Sequence, residues 1–178
     1  ARDLRTPLIE RVNFLAITQS NLDEFVRKRV SGLRWQIQAG VTGLSPDGRT
    51  PREQLDLLRA GIAEMQEVMS RTWRHQLLPA LRHEGLDPVT WDDLTALERT
   101  RLTSWFREQV YPVLTPLAVD PGHPFPFISN ASISLAIVLE GAGEDEFRFA
   151  RVKVPVERRR WVPVDDAGRY LPMEELVA

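Results

Sequence analysis

Two kinds of hydrophobic spacing divide this chain. Between residues 8 and 110, apolar side chains recur every three or four positions, which is typical of amphipathic helices. From Ile133 onward they alternate with small or polar side chains, which is typical of strands. The pattern predicts an α+β fold: an amino-terminal antiparallel helical bundle over residues 1–86, followed by a small mixed domain with an antiparallel sheet over residues 87–178. The helix expected near residues 92–110 can be grouped with either side.

The first helical stripe is expected to break near residues 19–21. Asn21 precedes a second stripe, and Glu24 follows it by three residues, which is the spacing of an N-cap with its capping-box partner. We therefore predict a new helix from Asn21 to about Gln38. A loop should follow, because glycine and proline recur there, at Gly40, Gly43, Pro46 and Gly48.

The clearest helix start lies at Thr50. Thr50 is a cap, Pro51 occupies the first helical position and Glu53 the third. A long apolar stripe follows, formed by Leu55, Leu58, Ile62, Met65, Met69, Trp73 and Leu77. Pro79 should kink or end this helix. Another helix is expected to begin at residues 90–93, with an inward face formed by Leu94, Leu97, Leu102, Trp105, Phe106 and Val110.

A proline-rich connector separates the two patterns. Residues 114–130 hold four prolines and one glycine in 17 positions, so they cannot form a helix interior or a central strand. The segment is nevertheless apolar, and we expect burial of Leu114, Leu117, Val119, Phe125, Phe127 and Ile128. The connector should therefore be packed and should lead from the last helix into the sheet.

The alternating region predicts a small sheet. Strands are expected at residues 133–139, 147–154 and 161–164, with a hairpin loop at residues 141–146. A helix should begin at Leu171 and run to the end of the sequence.

Composition removes several classes of function. The 178 residues carry a net charge of −2, so the basic excess of a nucleic-acid-binding protein is missing. No cysteine is present, which excludes disulfides and thiolate metal sites. The longest apolar run, residues 133–139, is too short to span a bilayer. Residues 1–7 are polar and begin without methionine, so no signal peptide is visible and the chain looks cut from a longer protein.

The sequence offers few candidates for catalysis. His75, His83 and His123 are not spaced as metal ligands; the first two are expected in solvent and His123 in a turn that bonds local backbone. The acidic run at residues 144–146 and the arginines at residues 158–160 are expected to be exposed charges, although three arginines could also bind a polyanion. No phosphate-binding glycine loop and no catalytic triad pattern occurs.

Asn21 has two possible roles. As a helix cap it uses its amide oxygen alone. Its amide NH₂ still offers two donors, so an asparagine in a cleft could also hold an acceptor atom of a ligand.

Two motifs carry a family resemblance. Residues 7–33 contain PLIERVNFLAI, SNLDEF and RVSGL, and residues 113–130 read VLTPLAVDPGHPFPFISN. They resemble, in the same order, the amino-terminal domain and the start of the head domain of bacterial polyphosphate kinase, the large ATP-using type that synthesises polyphosphate. The resemblance extends over nearly the whole chain, loosely in residues 39–90 and 140–170, and identifies residues 87–178 as a partial head domain.

The resemblance implies a kinase built from four domains. The terminal phosphate of ATP moves reversibly to polyphosphate through a phosphohistidine, with help from Mg²⁺. That histidine, its partner histidine and the phosphate-binding arginines belong to two carboxy-terminal domains, and none of their motifs occurs here. The family's opening segment is also missing before Ala1. No residue of this chain is therefore expected to be catalytic or to bind a metal.

One ligand contact is implied for this chain. The asparagine that precedes Leu-Asp-Glu-Phe touches the adenine of ATP in this family, and here that residue is Asn21. The nucleotide phosphates would point toward domains that this chain lacks, so we expect weak or no ATP binding by the chain alone. The family forms dimers through its head and amino-terminal domains, which implies a homo-oligomer. A cytoplasmic location is expected, with membrane association as part of a complex as the alternative.

Three hypotheses follow for the chain itself. The first is a fragment of polyphosphate kinase that contacts adenine and does not synthesise polyphosphate alone. The second is a non-catalytic dimerisation module. The third is a free-standing short protein that kept the fold and lost catalysis.

Overall fold

The chain folds into two compact units, Ala1–Glu84 and Gly85–Ala178. The computed structural model describes residues 1–120, 122–140, 147–155 and 159–178. The first unit is helical and the second combines short helices with two three-stranded sheets, so the predicted α+β class is confirmed. The assignment of residues 1–86 and 87–178 to two named domains stays a prediction.

Two long helical runs build the first unit. One comprises α1 (Leu8–Phe25), a π turn (Val26–Val30) and α2 (Ser31–Gln38). The other comprises α3 (Pro51–Thr72), a second π turn (Trp73–Leu77) and α4 (Leu78–His83). Because α2 contacts α3 while α1 contacts the second π turn, the two runs are antiparallel. Their buried core is formed by Leu22, Leu33, Leu55, Leu77 and Leu81.

The predicted break at residues 19–21 is wrong. Helix α1 runs through Asn21 without interruption, and Glu24 accepts a hydrogen bond from Lys28 instead of capping a helix. Asparagine in a helix interior costs less than about 1 kcal/mol relative to alanine. Breaking the helix here would cost several backbone hydrogen bonds and the burial of Leu22, which is larger. The irregularity lies one turn later, in the π turn.

The capping box at Thr50 is confirmed. The Glu53 amide donates to the Thr50 hydroxyl at 3.3 Å, and the Thr50 amide donates to the Glu53 carboxylate at 2.8 Å. The Thr50 amide and hydroxyl, which both donate to the Glu53 carboxylate at 2.8 Å, hold the pKa of Glu53 below its usual range. Of the two outcomes predicted at Pro79, a kink or an end of the helix, the end is wrong, because helical structure continues to His83. The wider π turn directly before Pro79 accommodates its missing N–H donor and its ring.

Two sheets build the second unit. In the first, β6 (Arg169–Pro172) lies between β1 (Asp87–Pro88) and β5 (Trp161–Pro163), parallel to β1 and antiparallel to β5. In the second, β4 (Phe147–Lys153) lies between β2 (Pro116–Val119) and β3 (Ser134–Glu140) and is antiparallel to both. The predicted hairpin loop at residues 141–146 lies outside the described residues.

The helix predicted from residues 90–93 begins later. Thr90 and Asp93 form a capping box, but it closes a single 3₁₀ turn over Trp91–Asp93. Thr95 and Glu98 form a second box that starts α5 (Ala96–Gln109). This shift leaves Leu97, predicted to face inward, 81% exposed.

The end of the chain also differs from the prediction. Leu171 is completely buried in strand β6, and the last helix, α6 (Met173–Val177), begins after Pro172. The core of this unit gathers side chains from α5, α6, the first sheet and the segments that flank the helices and strands: Val89, Leu94, Leu102, Val110, Val154, Val162, Val164, Leu171, Met173 and Leu176.

Arg169 ties this core to α5. Its guanidinium donates to the Glu98 carboxylate at 2.6 Å and to Asp165 at 3.2 Å. The Thr95 amide and hydroxyl, and then Arg169, hold the pKa of Glu98 below its usual range. Strand β6 is therefore joined to the start of α5 by charge as well as by packing.

The connector is fixed chiefly through its backbone. Its start forms the edge strand β2, which tolerates Pro116. The expected burial is wrong for Leu117, Phe125, Phe127 and Ile128, which are all exposed, Phe127 to 86%. Leu114 and Val119 are partly buried. The buried Arg151 donates to the Phe127 carbonyl at 3.2 Å and to the Ser134 hydroxyl at 3.1 Å, so a polar side chain, rather than apolar burial, holds this segment on the sheet.

Gly168 is fixed by a close backbone approach. Its φ is +88°, and a Cβ at this position would lie 1.9 Å from the carbonyl oxygen of Gly85. The Gly168 carbonyl also accepts a hydrogen bond from the Asp87 amide at 2.9 Å. Gly85 has a similar φ of +77°, but a Cβ there would meet no atom within 4 Å.

We predict that Gly168→Ala lowers the free energy of unfolding by about 2–4 kcal/mol, since it adds backbone overlap to left-handed strain. Gly85→Ala is the matched control, because it adds the strain alone and should cost about 1–2 kcal/mol. Urea unfolding of both variants measures the difference. If both variants lose the same free energy of unfolding, the close approach of Gly168 to Gly85 does not add to the cost of Gly168→Ala.

Candidate functional site

A cavity between the two helical runs contains the predicted ligand residue. Its volume is about 560 Å³, and its wall combines one side of α1 with one side of α3. The lining residues are Thr18, Asn21, Leu22, Phe25, Leu57, Leu58, Gly61, Ile62 and Met65. Most of these are apolar, so the cavity suits a flat apolar group that carries few polar atoms.

Asn21 is the main polar group of this wall. The residue is exposed, and no hydrogen bond of its side chain is found within the described parts of the chain. The hydroxyl of Thr18, by contrast, donates to the Phe14 carbonyl at 2.7 Å. Because Asn21 is not a helix cap, both its amide oxygen and its NH₂ group remain open to a ligand.

Phe25 places an aromatic ring one helical turn after Asn21. It ends α1, is 40% exposed and borders the cavity. The π turn Val26–Val30 follows directly. Single π turns inside helices are frequent at functional sites because they change which side chains share a face. Asn21 and Phe25 together offer a polar edge and an aromatic surface.

The charged residues beside the cavity differ in their partners. Lys28 is paired with Glu24 at 2.5 Å, and Arg49 is paired with Asp47. Arg29 donates instead to a neutral group, the Gln54 amide oxygen, at 2.9 Å. Within the described residues Arg29 therefore has a neutral partner on the α3 run, Gln54, and no carboxylate partner.

Other cavities lie along the same pair of helices. One of about 470 Å³ is lined by residues such as Val12, Leu15, Met69 and Trp73, and one of about 460 Å³ reaches Arg2 and Glu64. We take the Asn21 cavity as the candidate site because it is larger and combines an unbonded amide with an aromatic ring.

The histidines behave as expected. His75 and His83 are exposed. His123 lies in a turn in which its amide and the amide of Asp120 each donate to the other's carbonyl at 3.0 Å. Its ring nitrogen also contacts the Asp120 carboxylate at 3.0 Å, and this contact holds the pKa of Asp120 below its usual range. In the described residues, no group of three acidic, histidine or cysteine side chains could hold a metal ion.

The arginine run at residues 158–160 is described in part. Arg158 and the acidic run at residues 144–146 lie outside the described residues. Arg159 is exposed, and Arg160 forms an ion pair with Glu174 at 2.6 Å that raises the pKa of Arg160. Arg160 is thus engaged within its own unit.

The family resemblance proposed Asn21 as a ligand residue but gave none of the residues around it. Phe25 and Arg29 follow Asn21 at intervals of four, a spacing that would have placed all three on one side of a helix had α1 been taken as continuous. The α3 side of the cavity, with Leu57, Ile62 and Met65, had no local signal. Only the antiparallel packing of the two runs brings it opposite Asn21.

Comparisons with known proteins agree on one family. A family profile described as "Polyphosphate kinase N-terminal domain" matches residues 1–89, and one described as "Polyphosphate kinase middle domain" matches residues 97–178. The chain is 47% identical over 188 residues to a polyphosphate kinase of Mycobacterium ulcerans and 46% identical over 192 residues to one of Mycobacterium tuberculosis. Each comparison covers 100% of this chain and 26% of the relative.

The comparison of three-dimensional structures indicates the same family. The crystal structure of polyphosphate kinase from Porphyromonas gingivalis superimposes with a TM-score of 0.79 at 25% identity, covering 98% of this chain and 26% of that one. The chain thus shares its fold with about a quarter of that polyphosphate kinase structure. The chain belongs to the polyphosphate kinase family. It spans about a quarter of the length of the curated relatives it matches.

Among the described residues, no helix is long and apolar enough to cross a bilayer.

Proposed function

We propose that this chain forms the adenine-contacting part of a polyphosphate kinase, which transfers the terminal phosphate of ATP reversibly to polyphosphate. The observation that carries the proposal is the unbonded Asn21 amide in the wall of an apolar cavity. The phosphohistidine and the Mg²⁺-assisted transfer belong to parts of the enzyme outside these 178 residues. The enzyme is proposed to work in the cytoplasm, with association to a membrane complex as the alternative.

Asn21 can recognise adenine by two hydrogen bonds. An asparagine amide matches the adenine edge that presents N6 and N7, since its oxygen accepts from the N6 amino group and its NH₂ donates to N7. Guanine presents an acceptor in place of the N6 amino group, so the same amide orientation disfavours GTP. The apolar residues of the cavity, Phe25 and Met65 among them, would cover the ring faces.

We predict that Asn21→Asp in the full-length enzyme weakens ATP binding about tenfold or more, because it keeps the side-chain shape and removes the NH₂ donors. The ATP-over-GTP preference should fall as well. Asn13→Asp is the matched control: it lies exposed in the same helix, outside the cavity wall, and makes the same chemical change. Calorimetric titration with each nucleotide measures both effects.

A second ligand separates the lost hydrogen bond from the negative charge that Asn21→Asp introduces. In 7-deaza-ATP the N7 acceptor is replaced by carbon, so the wild-type enzyme should bind it more weakly than ATP through the same lost bond. The Asn21→Asp variant already lacks the donor to N7, so it should bind 7-deaza-ATP almost as tightly as it binds ATP. Wild-type enzyme that binds both nucleotides equally would refute the N7 contact.

We predict that purified 1–178 alone forms no polyphosphate from ATP and Mg²⁺. The physical reason is that phosphoryl transfer depends on positioned cations and a nucleophile, and the described residues contain no cluster that could position a metal ion. A radiolabel assay for polymer formation tests this. Measurable synthesis by the chain alone would contradict the proposal.

A second candidate function is assembly of the enzyme into dimers. It is favoured by large exposed apolar side chains on each unit, such as Trp35 at 73% and Phe127 at 86%. We predict concentration-dependent dimerisation of the chain in sedimentation velocity, weakened by Phe127→Ser. A chain that stays monomeric at high concentration would exclude a sufficient interface within these residues.

A further inference from the structure

We propose that Arg29 binds the phosphate attached to the ribose of the nucleotide whose base contacts Asn21. This inference rests on the adenine site proposed above and gives the nucleotide a direction along the cavity. It adds a residue that binds the nucleotide and takes no part in moving the terminal phosphate.

The position of Arg29 follows from the continuous helix. Asn21, Phe25 and Arg29 recur at intervals of four, and Arg29 lies in the π turn, about two turns beyond Asn21 along the same run. On the opposite run, Gln54 precedes the lining residue Leu57 by one turn. The 2.9 Å hydrogen bond from Arg29 to the Gln54 amide oxygen therefore joins the two runs at one end of the cavity.

The chemistry of Arg29 is that of a prepared anion site. A guanidinium has five N–H donors in a planar fork, and Gln54 engages one of its terminal nitrogens. No ion pair of Arg29 with a carboxylate is found within the described residues, whereas Lys28 and Arg49 are each paired with one. The hydrogen bond to a neutral amide orients the guanidinium without cancelling its charge, which favours a phosphate over water as the next partner.

The two ends of the cavity differ in charge. Beyond Thr18 and Met65, the neighbouring cavity is lined by both Arg2 and Glu64, so its wall carries charges of both signs. The other end holds Arg29, a cation that has no carboxylate partner among the residues that the structure describes. An apolar wall with an amide at its centre and a cation at one end matches an apolar base joined to an anionic group, which is the chemistry of a purine nucleotide.

This orientation leaves the rest of the nucleotide free. Arg29 is exposed, so a chain of further phosphates can continue past it into solvent or toward other parts of the enzyme. The ribose-linked phosphate is the group nearest the base, and it is therefore the one that a residue two turns from Asn21 would meet first.

The test compares adenosine, AMP and ATP on the full-length enzyme by calorimetric titration. For Arg29→Gln we expect the affinity for adenosine to be unchanged. The ratio of AMP affinity to adenosine affinity, which we call the AMP gain, should fall about tenfold, because one charge-assisted hydrogen bond is lost. The ratio of ATP affinity to AMP affinity should be the same as in the wild-type enzyme. Arg29→Lys, which keeps the charge and loses the fork, should retain part of the AMP gain.

Arg27→Gln is the matched control, since Arg27 is an exposed arginine of the same π turn for which no hydrogen bond to the α3 run is found among the described residues. It should leave all three affinities as in the wild type. The inference is overturned if Arg29→Gln keeps the wild-type AMP gain, or if Arg27→Gln loses as much. Adenosine that fails to bind the wild-type enzyme would overturn the adenine site itself. Thermal unfolding of each variant verifies that the helices remain folded.

Discussion

The helical unit depends on where its two antiparallel runs touch. Backbone contact is close at one end, where α2 meets α3, and at the other, where α1 meets the π turn Trp73–Leu77. Leu33 and Leu77 are almost fully buried in this unit. Between these contacts α1 and α3 stand apart, and the space along them becomes a line of cavities. The same packing that stabilises the unit therefore creates its candidate site.

Irregular turns adjust this packing. Each run contains one π turn, and each π turn precedes a short helix. An extra residue per turn rotates the side chains that follow relative to those before. In the first run the π turn begins directly after the cavity residue Phe25 and contains Arg29. Local irregularity is thus a means of placing particular side chains, and its cost is offset by the burial of leucines along both runs.

The two sheets of the second unit are held by different interactions. Its first sheet is packed on α5 and α6 and is further tied by Arg169 to Glu98 and Asp165. Its second sheet carries the proline-rich connector, whose aromatic side chains stay exposed while Arg151 holds the backbone. Phe125 nevertheless stacks on Phe149 with ring centroids 5.8 Å apart. Rigid presentation of apolar side chains is consistent with a surface that other residues cover in a larger assembly.

The sequence by itself determined the class of fold, the capping box at Thr50, the strands after residue 133 and Asn21 as the residue to examine. The first three depend on local chemistry: spacing of apolar residues, turn residues, and side chains that bond neighbouring backbone. Asn21 was indicated by the family resemblance of its SNLDEF motif. It misplaced the helix break, the start of α5 and the burial of the connector. The helix break was outweighed by the burial of Leu22 within an unbroken helix. The start of α5 is set by a second local signal, the Thr95–Glu98 capping box. The connector is held by strand pairing and by Arg151, so most of its apolar side chains stay exposed. The tertiary structure alone decided what lies opposite Asn21, because Leu57, Ile62 and Met65 come from a later helix and reach the site through antiparallel packing.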